Sequence, residues 1–268
     1  PTGASSSAIT AAKSRSTRRS MDKWLNQIIC GDCLEVMRDI PDKSVDMILC
    51  DLPYGTTACK WDTVIPFEPL WAHYRRVIKD DGAIVLTASQ PFTSALVMSN
   101  PNWFKYEWIW KKTKTSNFLN AKKEPLKEHE SVLVFCSNRR YYPQGLIPFG
   151  KIRSRKSKNG TSDNYGAYNQ QNLSEFTNYP RTILEFALDK PIGHPTQKPV
   201  ALFEYLIKTY TQPGEIVLDN CIGSGTTAVA ALNTGRFFIG IEKEPKYVEI
   251  ARKRLEQAQT QQRLFAEA

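Results

Sequence analysis

No apolar stretch in this chain of 268 residues approaches the roughly 20 residues that a membrane-spanning helix needs. Residues 1–20 lack the apolar middle of a secretory signal; they are polar, carry four basic side chains and no acid, and read as a disordered basic tail. Met21 is a natural start for the folded part. Histidine is scarce and scattered, at His73, His129 and His194, so no metal site is expected. The six cysteines, at 30, 33, 50, 59, 136 and 221, form no disulfide framework for a chain of this size. Several sit in or beside apolar runs, which points to a reducing, cytoplasmic interior. Cys30-Gly31-Asp32-Cys33 is a single CxxC without a second pair and reads as two packed thiols at a strand end rather than as zinc ligands. The Gly-Lys-Ser/Thr ending of a phosphate-binding P-loop is also missing.

The chain is rich in positive charge. Its net charge is +9, of which four charges belong to residues 1–20, so the body is basic too. Lys105, Lys111, Lys112, Lys114, Lys122, Lys123 and Lys127 are interleaved with Trp103, Phe104, Tyr106, Trp108, Trp110 and Phe118. A second basic cluster runs from Lys151 to Lys158. Charge of this sign suits a polyanion, although a solvated face and a flexible loop have the same composition.

With 41% hydrophobic residues the chain can bury a substantial core, and its apolar runs alternate strand with helix. Strands are expected at 27–30, 45–50, 83–88, 215–219 and 237–242. Helices are expected at 33–40, 69–79 (stopping at Asp80-Asp81-Gly82), 91–98, 199–211, 226–233 and 244–257. Residues 106–110 and 131–136 read as an antiparallel pair at a sheet edge, and residues 138–190 as an irregular insertion. The alternation implies a mainly parallel, doubly wound α/β sheet.

Two stretches carry chemistry. Asp51-Leu52-Pro53-Tyr54 follows a buried strand, at the carboxyl end where open α/β sheets bind ligands. It offers a carboxylate, backbone carbonyls and a flat ring, the parts that hold a planar base by its exocyclic amine. Val217 to Ala228 is a strand, a glycine turn and a helix start. Gly223-x-Gly225-x-x-Ala228 also fits a relaxed dinucleotide fingerprint, so a nicotinamide enzyme is a rival on this loop alone. Asp219 stands before the loop, suited to an amino group, and Glu242 can accept from both hydroxyls of a ribose. Ammonium, ribose and adenine together describe S-adenosylmethionine. The separate amine-holding site at Asp51 has no use in a dehydrogenase.

The chain resembles the amino-group DNA methyltransferases of the permuted β arrangement. Four blocks carry the likeness: Gly31-Asp32-Cys33-Leu34 with Ser44-Val45-Asp46, then Asp51-Leu52-Pro53-Tyr54-Gly55, then His194-Pro195-Thr196-Gln197-Lys198-Pro199, then Asp219 to Thr227 with Glu242 after it. The resemblance runs from about residue 26 to 257 and departs at Leu52, where the family usually has proline. It implies a Rossmann-like, seven-stranded sheet with a reversed edge hairpin. Catalysis would fall to Asp51, Leu52, Pro53 and Tyr54, with Asp51 and a carbonyl of Leu52 or Pro53 accepting from the amine and Tyr54 stacking on the base. S-adenosylmethionine would be held by Asp32, Cys33, Asp51, His194, Thr196, Gln197, Lys198, Asp219, Cys221, Ile222, Gly223, Gly225, Thr226 and Glu242. Asp32 would lie near its adenine, and Thr196, Gln197 and Lys198 near its methionine part. Thr196 also suits a cap for the helix beginning near Pro199.

In that reading residues 21–137 form the catalytic half, 138–190 the target-recognition insertion and 191–268 the cofactor half. DNA is the expected partner, with room for a homodimer and a cognate restriction enzyme, in a cytoplasmic, nucleoid-associated setting. Asp51 favours the N6 amine of adenine; serine there accompanies the N4 amine of cytosine. No Pro-Cys pair is present for attack on a cytosine ring carbon. N4-cytosine, RNA or protein-amine methylation, NAD-dependent oxidation and a catalytically silent DNA-binding module stay as alternatives.

Overall fold

The computed structural model describes residues 21–57, 59, 62–138, 140–156, 160–162, 166–168, 171–190 and 197–266; side chains of residues 151–174, 265 and 266 are outside that description, as is the tail at residues 1–20. The chain divides into two compact units, one reaching to Tyr142 and resuming at Thr182, the other Pro143–Arg181.

The larger unit is built on β1 (Gln27–Cys30), β2 (Val45–Asp51), β3 (Ile78–Ala88), β4 (Phe104–Ser116), β5 (Lys127–Phe135), β10 (Ile183–Phe186), β11 (Ile216–Asp219) and β12 (Phe237–Glu242). They form one sheet in the order β1-β12-β11-β2-β3-β5-β4-β10. Only β5 is reversed; it runs antiparallel to both β3 and β4, while the other pairs are parallel. The expected seven strands are therefore eight. The β4–β5 pair is not the sheet edge, because Ile183–Phe186 adds alongside Ile109–Lys112. That four-residue strand was hidden by the polar stretch around it.

Alternation along the central strands explains why both faces are covered. Ile48 and Cys50 of β2, with Ile84 and Leu86 of β3, pack under α1 (Cys33–Met37), α2 (Phe67–Val77) and α3 (Phe92–Ser99) through Met37, Leu70, Tyr74 and Leu96. Met47, Leu49, Ala83 and Val85 face the other way, under α4 (Val200–Tyr210), α5 (Thr226–Asn233) and α6 (Pro245–Ala266). The helix expected at 69–79 ends earlier, at Val77, and Asp80-Asp81-Gly82 is no loop: β3 starts at Ile78 and absorbs these residues in a register shift against β2. Asp46, almost fully buried, anchors this corner by accepting from Lys79 (2.6 Å) and from the Ile216 N–H (3.0 Å).

Residues 140–142 and 182–190 belong to the larger unit. Arg140 pairs with Asp81 and Glu215, and Tyr141 stacks on Trp108 at 6.4 Å. The smaller unit is paired strand rather than irregular chain: β6 (Ile147–Lys156) runs antiparallel to β9 (Gln171–Thr177), and β7 (Gly160–Ser162) to β8 (Gly166–Tyr168). Among the described residues no helix is long and apolar enough to cross a membrane.

Candidate active site

Four neighbouring parallel strands end on one side of the sheet, and each delivers a polar group there. β1 leads into Gly31-Asp32, β12 ends on Glu242, β11 on Asp219 and β2 on Asp51. The chain order separates these groups by up to 210 positions, from Asp32 to Glu242; the strand order makes them neighbours. They line one cavity of about 650 Å³.

At the β2 end, Asp51 is held by three donors. Tyr54 Oη donates to Oδ1 at 2.8 Å, the Thr87 hydroxyl donates to the same oxygen, and Lys198 Nζ donates to Oδ2 at 2.7 Å. Lys198 is buried and lies 3.2 Å from Glu130 Oε2, while Glu130 Oε1 pairs with Lys112 at 2.5 Å. The result is an alternating row, Lys112, Glu130, Lys198, Asp51. Burial pulls the Lys198 ammonium down, but Asp51 and Glu130 overcome it and hold its pKa above the usual lysine value. Burial likewise pushes Glu130 up, and Lys198 and Lys112 reverse that, leaving it below the usual carboxylate range. Desolvation, then Asp51 and Glu130, push the Tyr54 phenol well up, so it stays a neutral donor.

The loop after Asp51 is fixed from below. Leu52 is 3% exposed and packs in the core, so burial anchors the position where a proline ring is usual. Gly55 adopts φ +69°, and Asp62 collects the N–H groups of Gly55 (2.8 Å), Thr56 (3.0 Å) and Thr57 (2.7 Å). Burial raises the Asp62 carboxyl, but these donors outweigh it and leave it low. Tyr54 stacks on Phe92 at 5.1 Å with the rings 24° apart, and the Lys198 ammonium lies 5.5 Å from the Tyr54 centroid. One face of that ring is thus already covered by Phe92.

The glycine loop sits between β11 and α5. Gly225 needs to be glycine: its φ is +84°, and a Cβ there would stand 3.0 Å from the Ala251 Cβ. Asp219, 3% exposed, accepts from the Cys221 N–H at 3.0 Å and from the Thr227 hydroxyl. Burial pushes its carboxyl up to about 7 despite those donors, with nearby Asp51 adding to the rise. Glu242 accepts the Gly223 N–H on Oε2 (2.9 Å) and the Glu244 N–H on Oε1 (2.8 Å); burial raises it despite its backbone donors. Asp32 Oδ1 caps α1 through the Leu34 N–H at 2.9 Å and lines the same cavity.

The structure brings Asp32, Cys33, Asp51, Leu52, Pro53, Tyr54, Gln197, Lys198, Asp219, Cys221, Ile222, Gly223, Thr226 and Glu242 to the cavity wall. Gly225 stands behind it as the hinge into α5. His194 and Thr196 lie outside the described residues. Among the described residues, Pro199 occupies the N-cap position of α4 and Asp189 Oδ2 accepts the Val200 N–H at 2.9 Å. Lys198 turns to Asp51 and Glu130. The amide of Gln197 has its nitrogen and oxygen buried without a hydrogen-bond partner among the described residues. Of the CxxC pair only Cys33 is packed; Cys30 is exposed. A hydrogen bond with Cys221, then burial, push the Cys33 thiol up; burial pushes Cys50 up to about 12, so neither is a ready nucleophile.

Thr87, Glu130, Asp62 and Phe92 were not singled out by the sequence, and Lys112 was read only as one of a basic cluster. Glu130 carried one readable signal. It is an acid just before the apolar run at 131–136, and β5 extends back to Lys127, pairing Glu130 with Trp110 beside Lys112.

The sequence model of the DNA methylase family matches residues 45–253. The DNA adenine methyltransferase YhdJ of Escherichia coli (strain K12) is 31% identical, over 86% of this chain and 83% of its own. The Type II methyltransferase M.HinfI of Haemophilus influenzae is 28% identical, over 89% of this chain and 70% of its own. The crystal structure of an M1.HpyAVI–SAM complex superposes with a TM-score of 0.59 at 27% identity, covering 85% of this chain and 99% of that one. The cytosine-N4-specific PvuII DNA methyltransferase shares the fold, with a TM-score of 0.60 at 15% identity over 84% of each chain.

Proposed function

The chain belongs to the DNA methylase family, and from that premise we propose that it moves a methyl group from S-adenosylmethionine to the N6 amine of adenine in DNA. The observation that carries the reading is the Asp51 constellation: a carboxylate at a strand end, held by Tyr54, Thr87 and Lys198, beside the cavity that Asp219 and Glu242 line. The acid at position 51 and the similarity to a named adenine methyltransferase favour adenine over cytosine.

The cofactor suits these residues. Glu242 is a carboxylate at the end of β12 that suits ribose hydroxyls, and Asp219 is a buried carboxyl in need of a positive partner. Asp32 at the mouth of β1 is placed for the adenine end. When bound, S-adenosylmethionine supplies an activated methyl on a sulfonium.

The amine's lone pair is delocalised into the purine ring, so the protein must favour a nitrogen that points it outward. A carboxylate has about four acceptor sites, and three of those of Asp51 are taken. The fourth would accept one amine hydrogen, and a carbonyl of Leu52 or Pro53 the other. Lys198 holds the Asp51 carboxylate in place, Asp62 fixes the loop, and alignment then lowers the barrier. Tyr54, backed by Phe92, would present its remaining face to the base. A base inside a duplex cannot reach this site and must be flipped out. We assign base reading to the smaller unit and its neighbouring residues, 138–190, where Asn and Gln side chains suit base edges; of these, Asn159, Asn164, Asn169 and Gln170 lie outside the described residues, as do the side chains of Gln171 and Asn172. The permuted motif order and a cognate restriction enzyme are part of the same reading.

Incubation with labelled cofactor and unmethylated DNA, followed by nucleoside mass spectrometry, tests it. N6-methyladenine is expected. N4-methylcytosine would move the target to cytosine, and no labelled nucleoside on any DNA would refute methyl transfer.

A further inference from the structure

The hairpin joining β4 to β5 exposes the most prominent apolar side chains near the cavity. Leu119 is 101% exposed and Phe118 66%, side by side in a short 3-10 turn, Phe118–Asn120. The turn is well built. Asn117 takes a left-handed conformation, donates from Nδ2 to Glu124 Oε1 (2.6 Å) and accepts from Asn120 Nδ2 (2.9 Å). The Lys123 N–H closes back on the Asn120 carbonyl at 2.8 Å. An ordered tip that buries neither of its large apolar residues calls for an occupant from outside. Two things say which. Lys114, Lys122, Lys123 and Lys127 flank the tip and are exposed. The stem residues Ser116, Lys127 and His129 line the same cavity as Asp51.

We propose that this tip is the duplex wedge of the enzyme: Phe118 and Leu119 enter the base stack beside the target while the flanking lysines hold phosphates. Apolar wedges of this kind offset the cost of unstacking a base step, and cations beside them neutralise the backbone. The proposal rests on the DNA-methylating reading above. The wedge's part is to open the duplex and fill the gap left by the extruded base. The Asp51 site would act unaided on a base that is already unpaired.

The test uses the full chain and the Phe118→Ala/Leu119→Ala double variant, on oligonucleotides carrying the methylation site mapped on unmethylated plasmid DNA. One duplex is fully paired; the other places an abasic site opposite the target, so that extrusion costs little. Methylation of the paired duplex is expected to fall about tenfold or more in the variant, a barrier increase of about 1.4 kcal/mol or more. Methylation of the abasic duplex should stay within about twofold of wild type. Leu119→Met, which keeps apolar bulk, should restore most of the paired-duplex rate. An unchanged paired-duplex rate, or an equal loss on both substrates, overturns the wedge while wild-type activity upholds the parent reading. A shift in oligomeric state on gel filtration without a duplex-specific loss makes the tip a contact between copies and also overturns it. Wild type inactive on both substrates removes the parent reading and the wedge with it.

Discussion

Lys198→Met keeps most of the side-chain volume and removes the charge that separates Asp51 from Glu130. In the wild type the ammonium is 2.7 Å from Asp51 Oδ2 and 3.2 Å from Glu130 Oε2. Without it two carboxylates share a poorly hydrated pocket, and breaking such a pair costs about 3–5 kcal/mol if both stay ionised. The protein escapes part of that cost by taking up a proton between them. A protonated Asp51 is a poor acceptor for an amine hydrogen, so the rate of methyl transfer at neutral pH should fall about a hundredfold, near 2.7 kcal/mol. The rate should recover in part as pH rises and the shared proton leaves. Cofactor affinity by calorimetry should stay within about threefold, because in this structure Lys198 reaches Asp51. The assay is single-turnover transfer of labelled methyl to DNA beside a binding titration. An unchanged rate, or a loss confined to cofactor affinity, would refute the reasoning and return Lys198 to the methionine-side role that the sequence resemblance implies.

Two further outcomes follow from the glycine loop. Asp219 is pushed up to about 7, above the ordinary carboxyl value, so its ionisation opposes folding as pH rises through that range; a cationic cofactor group beside it should reverse the penalty. S-adenosylmethionine affinity should therefore increase from pH 5 to 7 by up to about tenfold per unit, and Asp219→Asn should flatten the slope; a slope unchanged in the variant assigns the dependence to another group. Gly225→Ala combines a left-handed backbone with contact on Ala251, whereas Gly214→Ala has φ +81° and nothing within 4 Å. The first should lose about 1–3 kcal/mol more than the second in urea melts, the excess being the steric contact; equal losses would mean that α5 shifts freely.

Much of the frame was legible because apolar periodicity decides it. The strands at 27–30 and 237–242 and the helix at 226–233 fall where the sequence places them. Illegible parts depended on pairing across the chain. Ile183–Phe186 is too short to declare itself a strand until β4 offers it an edge. Asp80-Asp81-Gly82 has turn chemistry, yet β2 recruits it into a shifted ladder. In the site, groups at strand ends could be read as facing one place, since parallel strands deliver their carboxyl ends together. Thr87 could not, because its importance comes only from touching Asp51, and Glu130 showed only as an acid ahead of an apolar run until its contact with Lys198 gave it a place. Lys198 itself was found by resemblance, and its pairing with Asp51 and Glu130 shows only once the chain is folded.

The central claim is that the Asp51 carboxylate accepts the amine of the target base. Asp51→Ala under single-turnover conditions, with labelled cofactor, unmethylated DNA and nucleoside analysis of the product, tests it most directly. The account predicts labelled N6-methyladenine from the wild type and a rate at least about a thousandfold lower from the variant, with the fold retained. A variant that still forms N6-methyladenine within about tenfold of the wild-type rate would contradict it.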